Sequence, residues 1–356
     1  MSVAARLPVM RPLLPRAESV LPYLRRIDAS RIYANRGPLV HELEARYAQF
    51  LGVDQGQVVT APSATTGLIG AISVAPPTEW FVPDFAFPAP ALAVLAAGAS
   101  ATLVDVSSTD WQMDIAKANF TPAAALLPVL PFGAPIEFDR WPASTVVVDA
   151  ASSLGSSKDQ LADLPSQWTV VYSLHATKVL AAGEGGLVVF GDAQRAERFR
   201  QWANFGFLDG GQSALQGQNA KMPEVSAAYA LASLDSWPEE EQEWIDAQSL
   251  ASTALSGMAG IRQRPGAVTP HPYWIVQFES PTQCDAVSKS LAESGIESRR
   301  WWGALHTMPA FAHCEHDGLS EADHLARTTL GLPMSRSLTQ AEAESVRAAI
   351  MRAGIT

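Results

Sequence analysis

Cysteine is nearly absent: Cys284 and Cys314 are the only two in 356 residues. Two thiols make neither a disulfide framework nor a metal cluster, and no metal site is expected; they suit a reducing compartment. No apolar run approaches the ~18 residues of a membrane-spanning helix. Positive charge is short as well, with 25 Lys and Arg against 36 Asp and Glu and a formal net charge of −11. That balance speaks against binding nucleic acid or an anionic membrane. The first residues scatter Arg6, Arg11 and Arg16 among prolines, without the compact apolar core of a signal peptide, so a cytoplasmic protein is expected. Internal repeats and low-complexity segments are missing too. What the chain does have is apolar residues, 47% of the total, enough for a large core, and a length that suits about two domains.

Short apolar stretches at 58–59, 80–82, 101–106, 125–129, 145–148, 169–172 and 186–190 read as strands. Helical stretches at 40–50, 65–72 and 89–97 lie between several of them. This alternation predicts a mostly parallel sheet covered on both faces. A charged helical break at 237–244 (WPEEEQEW) then leads into a second α+β unit. The expected organisation is an N-terminal segment 1–36, a large domain 37–236 and a small C-terminal domain 237–356.

Chemistry concentrates in residues 172–186, YSLHATKVLAAGEGG. Around Lys178 the nearest acids are Glu184 downstream and Asp163 upstream, so His175 is its one sizeable polar neighbour. A lysine in poorly solvated surroundings loses proton affinity and becomes an amine nucleophile, as Schiff-base chemistry requires. A lysine anchoring a chain reversal reads equally well. A second segment, 146–157 (VVVDAASSLGSS), reads as a buried strand ending in Asp149 with small residues after it. Acids at the carboxyl edge of a parallel sheet lie where open α/β folds bind ligands; an Asp capping the next helix is the alternative.

Together the two segments resemble the pyridoxal phosphate (PLP) enzymes of fold type I, specifically the sugar aminotransferases of the DegT/DnrJ/StrS type. In that family a strand ending E-D-A-A precedes, by about thirty residues, a segment S-F-H-x-x-K-x-x-x-x-G-E-G-G. This chain has V-D-A-A and then S-L-H-A-T-K-V-L-A-A-G-E-G-G. Further matches follow in the family's order from about Gly37 to the C-terminus: Gly37-Pro38 with Glu42 to Glu44, Ser63-Ala64-Thr65, PDFAFP at 83–88, PVLPFG at 128–133, GQNAKM at 217–222 before Glu224, and Leu332-Pro333 with Leu338-Thr339. The resemblance implies an α/β protein of PLP fold type I, aspartate aminotransferase-like. Its three-layer large domain has a mostly parallel seven-stranded sheet, and a smaller α+β C-terminal domain follows.

It also implies roles. Lys178 holds the PLP aldehyde as a Schiff base and shuttles the proton, and Asp149 pairs with the ring nitrogen. Phe87 stacks on the ring, with core packing as its alternative. Ser63, Ala64, Thr65 and Ser173 cradle the phosphate at a helix start, with a plain N-cap as the alternative for Ser63 to Thr66; Ser152 stands where the family has its residue near the ring hydroxyl, and Asn219 reaches the neighbouring subunit's cofactor. That last contact implies a homodimer with shared sites. Candidate substrate residues are Arg36, His175, Lys221, Arg300, Trp302 and His306; a solvated turn for Arg36 and interface packing for the Trp301–Trp302 pair are the alternatives. The chain departs from the family at Ala64 for Gly, Ser152 for Gln or His, and Ala220-Lys221 for Tyr-Arg. The implied activity is ping-pong transfer of an amino group from an amino acid, by analogy glutamate, to a keto-sugar, nucleotide-linked by the same analogy. A PLP-dependent sugar dehydratase or lyase and a PLP-binding regulatory protein without turnover are the other readings. The dehydrating relatives carry His in place of the lysine.

Overall fold

A computed structural model describes residues 7–117, 120, 124–208 and 211–355, so Arg6 lies outside the described part. The chain opens with α1 (Ala17–Ser30) and α2 (Pro38–Leu51), whose proline sits in the first turn, where a missing N–H costs nothing. Then follow β1 (Val58–Ala61), α3 (Ala64–Ser73), β2 (Glu79–Pro83), β3 (Phe85–Ala86), α4 (Ala89–Ala96), β4 (Ser100–Val104) and β5 (Ala125–Leu126). β6 (Thr145–Asp149), β7 (Trp168–Ser173), β8 (Gly186–Phe190), α5 (Ala193–Trp202) and the long α6 (Glu224–Ala254) complete this part. The rest comprises β9 (Ile261–Gln263), β10 (Trp274–Phe278), α7 (Pro281–Glu293), β11 (Gly303–Ala304), β12 (Glu315–His316), α8 (Ser320–Thr328), β13 (Thr329–Leu332) and α9 (Gln340–Arg352).

The large sheet runs β1-β8-β7-β6-β5-β2-β4-β12. Only β8 runs against its neighbours, β1 and β7; the other pairings are parallel. Every residue of β6, β7 and β8 is buried, which is why these strands read as unbroken branched apolar runs rather than alternating ones. All seven expected strands lie in this sheet. An eighth, Glu315–His316, adds a two-residue edge beside β4; short, polar and exposed, it carries no hydrophobic signal. β5 is shorter than its apolar run because Pro128 has no N–H to give the ladder.

The expected break at 237–244 is not there. α6 passes unbroken through Pro238, held by Trp237 and Trp244, which bury about two turns apart. The division expected at 236/237 therefore falls inside a helix. β13, β10 and β9 form a separate three-stranded sheet with α7, α8 and α9 nearby. The C-terminal part is stitched to the rest at several points. β11 pairs with β3, Leu7 bridges to Ile296 and Met10 to Met334, and the Arg11 guanidinium forks onto Glu342 at 3.0 and 3.1 Å.

Candidate active site

The carboxyl ends of β1, β6 and β7 converge on one edge of the large sheet. At the end of β6 the Asp149 backbone is paired both ways, its N–H to the Pro128 carbonyl and its carbonyl to the Leu130 N–H. The side chain is 5% exposed and accepts a hydrogen bond from the Ala151 N–H at 2.9 Å. Burial pushes its carboxyl up to about 6, against the pull of the Ala151 N–H and the Lys178 charge. Lys178 follows β7 in a turn closed by Leu174 N–H to Gly185 O, Ala176 N–H to Gly183 O and Lys178 N–H to His175 O. Gly183 has φ +86, a conformation that side-chain-bearing residues rarely adopt, so the glycine-rich exit shapes the turn that presents the lysine. Lys178 Nζ donates to Ser152 Oγ at 2.8 Å and to Tyr273 Oη at 2.9 Å.

Beside this pair, α3 starts directly after β1. Ser63 caps it, its Oγ accepting from Thr66 N–H at 3.1 Å, while the N–H groups of Ala64 and Thr65 have no carbonyl partner inside the helix. The helix start presses onto β8: a Cβ on Gly186 would lie 2.7 Å from the Ser63 carbonyl carbon and oxygen and 2.8 Å from Ala64 N. Gly186 pairs with Ser173 of β7, so that serine stands in the same row. Ser173 Oγ accepts from His175 N–H at 3.2 Å.

Tyr273 was not among the residues expected from the sequence. It follows a Pro-His-Pro run that stiffens the chain just ahead of β10, but no local feature links it to a lysine 95 residues earlier. Its ring stands edge-on to Phe132 and to Trp301, each at 5.4 Å between centroids. Trp302 stacks on Phe132 at 4.1 Å. Burial raises the Tyr273 phenol, but the Lys178 charge and the hydrogen bonds from Lys178 and Ser152 outweigh it and leave the group below its ordinary value.

Other candidates fall at varying places. Trp302 belongs to the aromatic wall beside Tyr273. His175 uses Nδ1 to accept from Thr177 N–H at 3.2 Å, and its Nε2 lies 3.7 Å from Glu184. Lys221 donates to Asn204 Oδ1 at 3.0 Å and sits 4.6 Å from the Phe205 ring centroid. Asn219 is exposed, as is Phe87, which makes no ring contact among the described residues. Arg36 reaches Glu44 at 3.2 Å, a buried carboxylate that also takes both the N–H and the hydroxyl of Thr60. Its guanidinium is thus committed within the fold rather than standing in a solvated turn. Arg300 is committed elsewhere too: it donates to the Ala326 and Arg327 carbonyls at the end of α8 and to Asp285. His306 is held by Asp84 at 2.8 Å.

A sequence model of the DegT/DnrJ/EryC1/StrS aminotransferase family matches residues 16–351. The chain is 30% identical over 346 residues to UDP-N-acetyl-3-dehydro-alpha-D-glucosamine 3-aminotransferase of Acidithiobacillus ferrooxidans, which covers 91% of this chain and 90% of that one. It is 26% identical over 351 residues to dTDP-4-amino-4,6-dideoxy-D-glucose transaminase of Shigella dysenteriae, covering 93% and 94%. Among solved structures, that of DesI in the presence of its TDP-sugar product is similar with a TM-score of 0.86 at 28% identity, covering 98% of this chain and 93% of that one.

Proposed function

The chain belongs to the DegT/DnrJ/EryC1/StrS aminotransferase family, whose cofactor is pyridoxal phosphate, and we propose that it moves an amino group from glutamate to the ketone of a nucleotide-linked sugar. The observation that carries this reading is the placement of Lys178. Its amine is aimed by two hydroxyls and lies within electrostatic reach of a buried carboxylate, at the carboxyl edge of the sheet. Both named transaminase relatives act on nucleotide-linked sugars and the DesI structure contains one, which supports the acceptor class.

The residues present fit the cofactor. The close approach at Gly186, which a Cβ would block, brings the α3 N-terminus down beside Ser173 as a local anion cradle in an acidic protein. Those N–H groups and Ser173 would hold the phosphate, Asp149 the ring nitrogen, and Lys178 the aldehyde. When bound, PLP supplies an electron sink that lets the C–H bond next to the transferred nitrogen break. Asp149 contributes a negative charge in a water-poor place, where it holds a facing cation more strongly than it would in bulk water. Lys178 would take the proton released at that carbon and return it on the far side of the transferred nitrogen, and the Ser152 and Tyr273 hydroxyls would keep Nζ aimed for both steps. Amino donor and keto acceptor use this one site in turn.

The working unit under this reading is a cytoplasmic homodimer whose sites each borrow Asn219 from the partner. Support comes from a cleft of about 510 Å³ lined by Arg36, Asn204, Phe207 and Lys221 among others, and from exposed apolar side chains on the segments that line it, Ile32 and Tyr33 shortly before Arg36 and Phe205 and Leu208 near Phe207 in sequence. Exposed apolar groups gathered in this way mark an interaction surface. Mixing the holoprotein with glutamate is expected to discharge the visible absorbance of the lysine-bound cofactor, and a nucleotide-linked keto-sugar then restores it. A band that persists with glutamate and with every other amino acid would overturn transamination.

A further inference from the structure

We propose that Tyr273 is a positioning residue of this reaction, its phenol sharing one proton with the Lys178 amine and holding that amine against Ser152. The inference rests on Lys178 being the reactive lysine. Tyr273 Oη lies 2.9 Å from Nζ, Ser152 Oγ lies 2.8 Å from the same nitrogen, and the two hydroxyl oxygens are 3.5 Å apart. Nζ thus makes two short contacts, one to each of two neighbouring hydroxyls. When the amine takes the proton, the Oη–H bond breaks, an Nζ–H bond forms and the electron pair stays on the phenolate oxygen; the reverse step returns the proton.

The fold goes to some length to hold this phenol in place. Gln248 of α6 donates to the carbonyls of His271 and Tyr273 at 2.7 and 2.9 Å, clamping the chain on either side of Pro272. Phe132 and Gly133 form a turn at φ 50 and φ +88, and a Cβ on Gly133 would come within 2.4 Å of the His271 Cβ. Only glycine lets that turn close onto the segment and bring the Phe132 ring against Tyr273. None of these contacts uses the hydroxyl, so ring packing alone does not account for a tyrosine rather than a phenylalanine.

The charges that face the phenol come from two sides. From the sheet edge, Lys178 favours the phenolate and Asp149 opposes it. On its own segment, His271 is kept neutral by burial and by the nearby Arg264. Tyr273 leads β10 in the C-terminal sheet, whereas Ser152 and Lys178 lie in the turns that follow β6 and β7 of the large sheet. The state of the reactive amine thus depends on the docking of the C-terminal part.

The test is an ultraviolet difference titration of tyrosinate in the apoprotein, with the holoprotein's visible band followed in parallel. Tyr273 is held below its ordinary value whereas Tyr23, Tyr47 and Tyr172 are pushed upward, so Tyr273 is expected to ionise in the earliest phase. Tyr273→Phe should lose that phase while keeping its fold, since both edge-on ring contacts remain. Lys178→Ala should displace the phase upward by at least tenfold in proton affinity, and Ser152→Ala by less. In the holoprotein, Tyr273→Phe should still form the visible band, with its pH midpoint moved. An early phase that persists in Tyr273→Phe, or that Lys178→Ala leaves in place, overturns the proposal. A wild-type protein that forms no visible band instead overturns the Schiff-base reading and leaves the apoprotein result to stand alone.

Discussion

Asp84 and His306, 222 residues apart, meet through both oxygens of one carboxylate. Oδ1 accepts from the His306 backbone N–H at 2.8 Å, and Oδ2 lies 2.8 Å from Nδ1. Asp84 is fully buried, and burial raises its carboxyl against the opposing hydrogen bonds from His306. Its own carbonyl takes the Leu305 N–H at 2.9 Å, so the contact locks the seam where β11 pairs with β3.

Among the described residues, His306→Ala leaves that buried acid with only the backbone donor from residue 306. The expected cost is about 1–3 kcal/mol of stability, read from urea unfolding, with the visible band of the cofactor retained. Unchanged unfolding together with a loss of sugar binding would return His306 to the substrate site.

The two segments that carry the resemblance were legible because their chemistry is local. A branched run ending in Asp149, and a lysine between small residues and glycines, owe their geometry to neighbours a few positions away. The α/β alternation was legible for the same reason, since doubly buried strands must be continuously apolar. Long-range contacts were not legible. Tyr273 joins Lys178 only through the docking of a second sheet, and nothing in T-P-H-P-Y-W points to residue 178. The charged run WPEEEQEW suggested a break, yet α6 continues through it with Trp237 and Trp244 buried. Arg36 and Arg300 read as substrate candidates because the Glu44 carboxylate that takes the one, and the α8 carbonyls and Asp285 that take the other, leave no trace in the sequence.

Asp149 sets the pH dependence of the apoprotein. Its carboxyl is near 3.8 in the unfolded chain and about 6 when folded, so the folded state binds the proton more tightly. Its contribution is complete below the lower value and is lost as pH rises through the upper one. At 1.36 kcal/mol per unit the loss is on the order of 3 kcal/mol. Urea unfolding of the apoprotein should show stability falling between about pH 4 and 6, a slope that Asp149→Asn removes. The same variant should bind PLP and transaminate on the order of a hundredfold or more slowly. An identical pH slope in the two proteins would show that the group is not buried as a carboxyl.

A shared site makes a demand on mixed dimers. With Lys178→Ala and Asn219→Ala each nearly inactive alone, co-folding the two chains should rebuild one intact site per heterodimer, with Lys178 from one chain and Asn219 from the other. If Asn219 serves its own chain, the heterodimer has no intact site. Inactive mixtures in which heterodimers have demonstrably formed would therefore contradict the sharing of Asn219.

The most direct measurement is borohydride reduction of the holoprotein followed by peptide mass spectrometry. The account predicts one PLP adduct per chain, on Lys178, and none in Lys178→Ala, which should keep its fold by circular dichroism. An adduct on another lysine, such as Lys158 or Lys221, or a full adduct in Lys178→Ala, would contradict it.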